Sequence, residues 1–194
     1  MRSPRLKVLE IEPVDPEFSV HHGRREPVHD SGNIHAMKHD TLERLARLVD
    51  HVSGERHAVW QEAAELIRRA GDYRWVGLYE VTDTEIGAIA WTGTVAPAFP
   101  RFPRDKGLNG VAVRTKDAVI SQDVVNDSRY LTAFATTGSE AIFPVLGDSG
   151  AVIGTIDVEC DRPNAFSPED ELFLRSCSIA LRRLWRTVPG ETSA

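Results

Sequence analysis

Two carboxylates one residue apart, Asp157 and Glu159, close an otherwise apolar run, Val152-Ile153-Gly154-Thr155-Ile156-Asp157-Val158-Glu159-Cys160. Read as a strand, the run has two distinct faces, because side chains two apart point the same way. Val152, Gly154, Ile156, Val158 and Cys160 form an apolar face, while Ile153, Thr155, Asp157 and Glu159 form one that ends in acids. Neighbouring acids on one face can bind a cation through charge-assisted hydrogen bonds, and the opposite face suits a core. The chain also carries two thiols, Cys160 and Cys177, the groups that nucleophilic or redox chemistry would use. Cys160 falls on the apolar face and Cys177 in the middle of a helical run, so both read as packing thiols. His21, His22, His29, His35 and His39 cluster towards the N-terminus. Their spacings match no tight ligand motif, and neither a metal nor a cofactor is expected.

The elements that must position these groups follow from periodicity. Ser139 to Leu146 reads as a strand joined to the acid-bearing one through Gly147-Asp148-Ser149-Gly150, residues that tolerate turn geometry. Upstream, Leu42, Leu45, Leu48, Val49 and Val52 recur at helical spacing from Asp40 onward, and Ser53-Gly54 interrupts them. A second helical stripe runs through Val59, Ala63, Leu66, Ile67 and Ala70 to a stop at Gly71. Strands are expected over Tyr73–Val81 and Glu85–Gly93, with Tyr73, Trp75, Gly77 and Tyr79 on one face of the first and Val76 and Leu78 on the other. A loop holding Pro97, Pro100 and Pro103 leads to Lys106-Gly107-Leu108-Asn109-Gly110, which opens a short helix to about Thr115. Ala118–Val124 is another strand, and residues 126–138 read as a helical turn and loop. Ser167-Pro168-Glu169-Asp170 starts the last helix with an N-cap, a proline at the first helical position and acids in the first turn. Leu172, Phe173, Ile179, Ala180, Leu184 and Trp185 form its apolar positions.

The order of elements gives an α+β class, a central antiparallel sheet flanked by N- and C-terminal helices. With 194 residues, 41% of them apolar, one domain is expected. Its bounds are 37–188, after an N-terminal arm over 1–36 that lacks a sustained period and before a tail over 189–194. Within the arm, Leu6-Lys7-Val8-Leu9-Glu10-Ile11 is the one apolar cluster. Acidic residues number 29 against 23 basic ones, a net charge of −6, which argues against nucleic-acid and anionic-membrane partners. No apolar run is long enough for a transmembrane helix, and the first residues lack the apolar core of a secretory signal. Two cysteines make no disulfide framework, so a reducing cytoplasm is the expected location.

Trp75-Val76-Gly77-Leu78-Tyr79, Lys106-Gly107-Leu108-Asn109-Gly110-Val111-Ala112, Ser139-Glu140-Ala141-Ile142-Phe143-Pro144-Val145, Gly154-Thr155-Ile156-Asp157-Val158-Glu159 and Phe166-Ser167-Pro168-Glu169-Asp170 together resemble a GAF domain over about residues 40–187. The resemblance implies a small-molecule pocket on one sheet face and terminal helices that pack against a second copy, hence a homodimer. Within that family the pattern is similar to the free methionine-(R)-sulfoxide reductases, which hold a free amino acid with an aromatic wall and carboxylates. On this resemblance the ligand-binding positions are Trp75, Tyr79, Asn109, Glu140, Asp157 and Glu159. Glu159 stands where aspartate is the expected acid. The reductase cysteines are replaced: Asn109 occupies one position, about Ala133 the second, and a residue near Phe99 the third. Sulfoxide reduction needs a thiolate to attack and a second thiol to resolve the adduct, and Asn, Ala and Phe supply neither.

Three functions fit this reading. The first is a sensory or regulatory module that binds a small cationic or amino-acid-like ligand without redox activity. The second is a divergent reductase using Cys160, and the third a dimerisation module with a vestigial pocket.

Overall fold

A computed structural model describes residues 31–50, 56–93, 95–132 and 134–186. The elements are α1 (Ser31–Asp50), α2 (Arg56–Ala70), β1 (Trp75–Val81), β2 (Glu85–Thr92), β3 (Arg101–Pro103), α3 (Gly107–Thr115), β4 (Val119–Ser121), a 3-10 turn (Val124–Asn126), β5 (Ser139–Leu146), β6 (Val152–Cys160) and α4 (Pro168–Arg186). Six strands pair antiparallel in the order β3-β2-β1-β6-β5-β4. The class is α+β, as expected. α2 and α4 cover one face of the sheet and α1 packs on those two helices, in a core where Leu45, Ile67, Leu78, Phe143, Ile156 and Leu181 are fully buried. The short α3 packs on the other face through Leu108 and Ala112, against Val119 and Ile142. Among the described residues no helix is long and apolar enough to cross a membrane.

β6 lies between β1 and β5 with α4 packed on one face and α3 on the other, so it is buried along most of its length. These two layers bury the acid-bearing face as thoroughly as the apolar one. The alternation read from sequence holds from Gly154 to Cys160 and fails before it. Val145 pairs with Gly154 but Leu146 pairs with Val152, which leaves Ile153 as an extra residue in a bulge. Val152 therefore joins Trp75 and Tyr79 on the acid side, and Ile153 packs on the helix side, the reverse of the expected assignment.

Other elements also depart from the expectation. α1 begins at Ser31, inside the segment read as an arm. Its first turns are held to α4 by polar contacts rather than by an apolar stripe, with Lys38 Nζ 3.0 Å from Asp170 and His35 Nδ1 3.6 Å from Glu169, so periodicity does not reveal them. β1 starts two residues late, and Tyr73 lies before it in the helix-side core instead of sharing the Trp75 face. β3 forms within the proline-rich loop. On α4, Leu172 and Ile179 are 68% and 74% exposed, while Cys177 is fully buried in their stead. The apolar cluster Leu6–Ile11 and histidines 21, 22 and 29 lie outside the described residues.

The start of α4 is a junction of three layers. Ser167 and Asp170 form a reciprocal cap, in which Ser167 Oγ accepts from the Asp170 N–H at 3.2 Å and Asp170 Oδ2 accepts from the Ser167 N–H at 2.9 Å. The other oxygen, Oδ1, accepts from Tyr73 at 2.8 Å and faces Lys38 of α1. Burial raises this carboxyl, but the hydrogen bonds from Ser167, Tyr73 and Lys38 outweigh it and hold Asp170 below the ordinary carboxylate range.

Candidate functional site

Antiparallel register assembles the acids. Glu140 on β5 is the direct partner of Glu159 on β6, and Asp157, two residues back, pairs with Gly77 on β1 and Ile142 on β5. Like charges placed opposite each other in a sheet destabilise it, so this pairing is not what a structural face would choose. One carboxylate oxygen from each of Glu140, Asp157 and Glu159 lies within 4.8 Å of the others. Their residues are 5%, 5% and 0% exposed.

Two of the three acids are held in place by a neighbour. The Asn109 amide donates to Asp157 Oδ2 at 2.8 Å, and its own Oδ1 accepts from Thr155 at 2.6 Å, which fixes the side chain in one orientation. Thr137 donates to Glu159 Oε2. Asn109 reaches this depth because α3 crosses the chain closely at Gly110, where an added Cβ would lie 2.4 Å from the Asp105 carbonyl carbon. The remaining oxygens, Glu140 Oε2, Asp157 Oδ1 and Glu159 Oε1, are buried and receive no hydrogen bond from a protein donor.

Burial dominates the electrostatics. It pushes Glu140 and Asp157 well above the ordinary carboxylate range, and the neighbouring negative charges add to the effect. Burial also raises Glu159, to about 7, despite the opposing influence of the Thr137 hydroxyl and the Arg74 charge. The same burial raises the phenol of Tyr79 well above its usual value, with the three acids contributing.

Aromatic rings wall the floor. Trp75 and Tyr79 are 2% and 3% exposed and lie on the face of β1 that looks at the acids, with ring centroids 6.4 Å apart. Gly77 sits between them and opposite Asp157, and a Cβ there would meet the Trp75 ring at 2.2 Å. Phe134 packs 5.5 Å from Trp75, and Phe102 lies 5.8 Å from Tyr79. Arg74 stacks on Phe134 at 5.1 Å and donates to Thr137 at 3.4 Å, which links it indirectly to Glu159. The enclosed space is about 20 Å³, lined by Tyr79, Asn109, Glu140 and Asp157 at depth and by Phe99, Phe102 and Leu131 towards the mouth. A larger surface hollow of about 580 Å³, between Asp83, Arg104, Asp105 and Arg114, contains none of the acids or rings.

All six positions named from sequence thus converge. Phe102, Phe134, Thr137 and Thr155 belong to the same site and were not singled out by the sequence. The first three come from β3 and a loop without periodicity, whereas Thr155 stood on the right face and lacked only a reason to be chosen. Ala133 lies outside the described residues, and Phe99 is 43% exposed. Both thiols are elsewhere. Cys160 faces the helix-side core, with burial pushing it up to about 11, and Cys177 is fully buried and raised further.

Known proteins share this fold. Residues 55–182 match the GAF domain family. A free methionine-R-sulfoxide reductase of Saccharomyces cerevisiae is 27% identical over 138 residues, covering 70% of this chain and 74% of the relative. The solved type II free methionine-R-sulfoxide reductase from Thermoplasma acidophilum superposes with a TM-score of 0.62 at 27% identity, over 77% of this chain and 95% of that one. The free methionine-R-sulfoxide reductase of Neisseria meningitidis, solved with its substrate, shares the fold at a TM-score of 0.70 and 23% identity, over 78% and 89% of the two chains. The sheet order, the helix layer and the family match agree, and the chain belongs to the GAF domain family.

Proposed function

We propose that this GAF domain captures a small ligand bearing a protonated amine, such as a free amino acid, without reducing it. One observation carries the reading: three buried carboxylates with unpaired oxygens lie together beneath an aromatic wall. An ammonium is the size of a water molecule and fits a space of about 20 Å³. It would receive charge-assisted hydrogen bonds from the floor and a cation–π contact from the wall. The rest of the ligand would displace Phe99 and Leu131 at the mouth. Relatives named as free methionine-R-sulfoxide reductases make methionine sulfoxide the natural first candidate. Reduction would need a thiolate in the pocket, and Cys160 is on the far face of the sheet with its thiol pushed up to about 11.

The test is thermal shift and native mass spectrometry against amino acids, methionine sulfoxide and cyclic nucleotides at pH 7.5. An amine ligand at a hundred times its Kd adds about 2.7 kcal/mol, a rise of roughly 5–10 °C for a chain of this size. Asp157→Asn should abolish the shift and Cys160→Ser should leave it unchanged. Methionine sulfoxide turnover that disappears in Cys160→Ser would overturn the binding-only reading. A response to nucleotides alone would overturn the amine.

The exposed Leu172 and Ile179, seven residues apart on α4, support a homodimer formed through the terminal helices. Light scattering should report a dimer for the native chain and a monomer for Leu172→Glu/Ile179→Glu. A dimer that survives the double change would exclude α4. A small-molecule partner and a cytoplasmic location complete the proposal.

A further inference from the structure

The acid floor is built more like an ion site than its organic-ligand role requires. Asp157 and Glu159 each have one oxygen anchored, by Asn109 and Thr137 respectively, and the other buried without a protein donor. Glu140 adds a third such oxygen from the neighbouring strand, and the three acids meet within 4.8 Å. Among the described residues no lysine or arginine forms an ion pair with any of them, and Arg74 acts on Glu159 only beyond that range. Anchoring one atom of a carboxylate by a neighbouring donor is how proteins orient metal ligands. Three buried negative charges require either protons or a cation of matching charge. The space of about 20 Å³ that Glu140 and Asp157 line admits a single water or ion.

We infer that Glu140, Asp157 and Glu159 bind one divalent cation of the oxygen-preferring class, Mg²⁺, Mn²⁺ or Ca²⁺. The donor set contains no imidazole and no thiol, which disfavours zinc and copper. Histidine spacing, the feature inspected in the sequence, is silent about such a site because the ligands come from two strands joined by register. The inference rests on the same acid floor as the amine-binding reading but not on its ligand. An ion and an ammonium would compete for the same oxygens.

Tb³⁺, which shares the oxygen chemistry of Ca²⁺, tests this in the full chain, because Trp75 and Tyr79 beside the floor can sensitise its emission. The expected result at pH 7.5 is sensitised luminescence saturating at one ion per chain. Mn²⁺ or Ca²⁺ should displace it, and Glu140→Gln/Glu159→Gln should bind at least tenfold more weakly. Circular dichroism of the double variant checks that it is folded. No sensitised emission from the native chain overturns the site, and so does undiminished emission from the folded double variant. If the ion fails while amines still stabilise the native chain, only the metal site falls. If the ion binds and no amine does, the amine-binding reading falls alone.

Discussion

Glu159→Gln is expected to raise the melting temperature of the ligand-free protein at pH 7.5 by roughly 6–12 °C. The carboxyl holds its proton in the fold up to about pH 7, whereas in the unfolded chain it releases it near 4.5. Its full contribution to stability is therefore present below about 4.5 and is lost as pH rises through about 7. At pH 7.5 the difference corresponds to about 3 kcal/mol. Glutamine supplies an uncharged side chain of the same shape. Its amide oxygen can keep the Thr137 hydrogen bond, and its NH₂ can donate to Glu140 and Asp157. The gain should shrink to near zero at pH 4.5, where glutamate is already neutral. Denaturation scans of both proteins at the two pH values decide it, and an equal gain at both would mean that ionisation is not the cause. A stabilised protein that has lost its amine response is the outcome expected of a site kept for binding at the expense of stability.

Asp170→Ala should have the largest destabilising effect, about 4–5 kcal/mol, with a fall in melting temperature of roughly 10–15 °C. It removes the α4 cap, leaves Lys38 charged and only 6% exposed, and strips Tyr73 of its acceptor. These losses share one side chain and will not add in full. Lys38 retains Glu169 at 3.4 Å, which limits the damage. Because the folded carboxyl lies below the ordinary range, its contribution is present above the unfolded pKa and is lost as pH falls through the folded value. The gap between native and variant proteins should therefore narrow in acid. Lys38→Met, which keeps the cap and the Tyr73 bond, should cost less than Asp170→Ala. Equal costs would place the whole effect in the ion pair.

How far the sequence reaches depends on whether a residue's placement is local. Asp157 and Glu159 could be read because strand alternation is exact from Gly154 onward, and the centre of a sheet preserves it. Capping chemistry likewise placed α4, since Ser167, Pro168 and Asp170 act within one turn. Ile153 shows the limit: one inserted residue exchanges two faces, and nothing in Ala151-Val152-Ile153-Gly154 announces it. The start of α1 is hidden for a different reason, as its anchors lie more than a hundred residues away on α4. Glu140, Trp75, Tyr79 and Asn109 were found through family resemblance, because their convergence is a property of register and of α3 packing. Phe102, Phe134 and Thr137 reach the site on segments whose path only the folded chain defines.

Pairing between β1 and β2 is irregular at Leu78 and Tyr79, and there the Tyr79 carbonyl accepts a 3.0 Å hydrogen bond from the indole nitrogen of Trp185. Tyr79 thus offers its ring to the pocket and its backbone to the last turn of α4. The two sides of the sheet are joined through a single peptide group. A displacement of that ring by an occupant would alter the polarity felt by the indole, so fluorescence of Trp185 would gauge filling from the far side of the sheet.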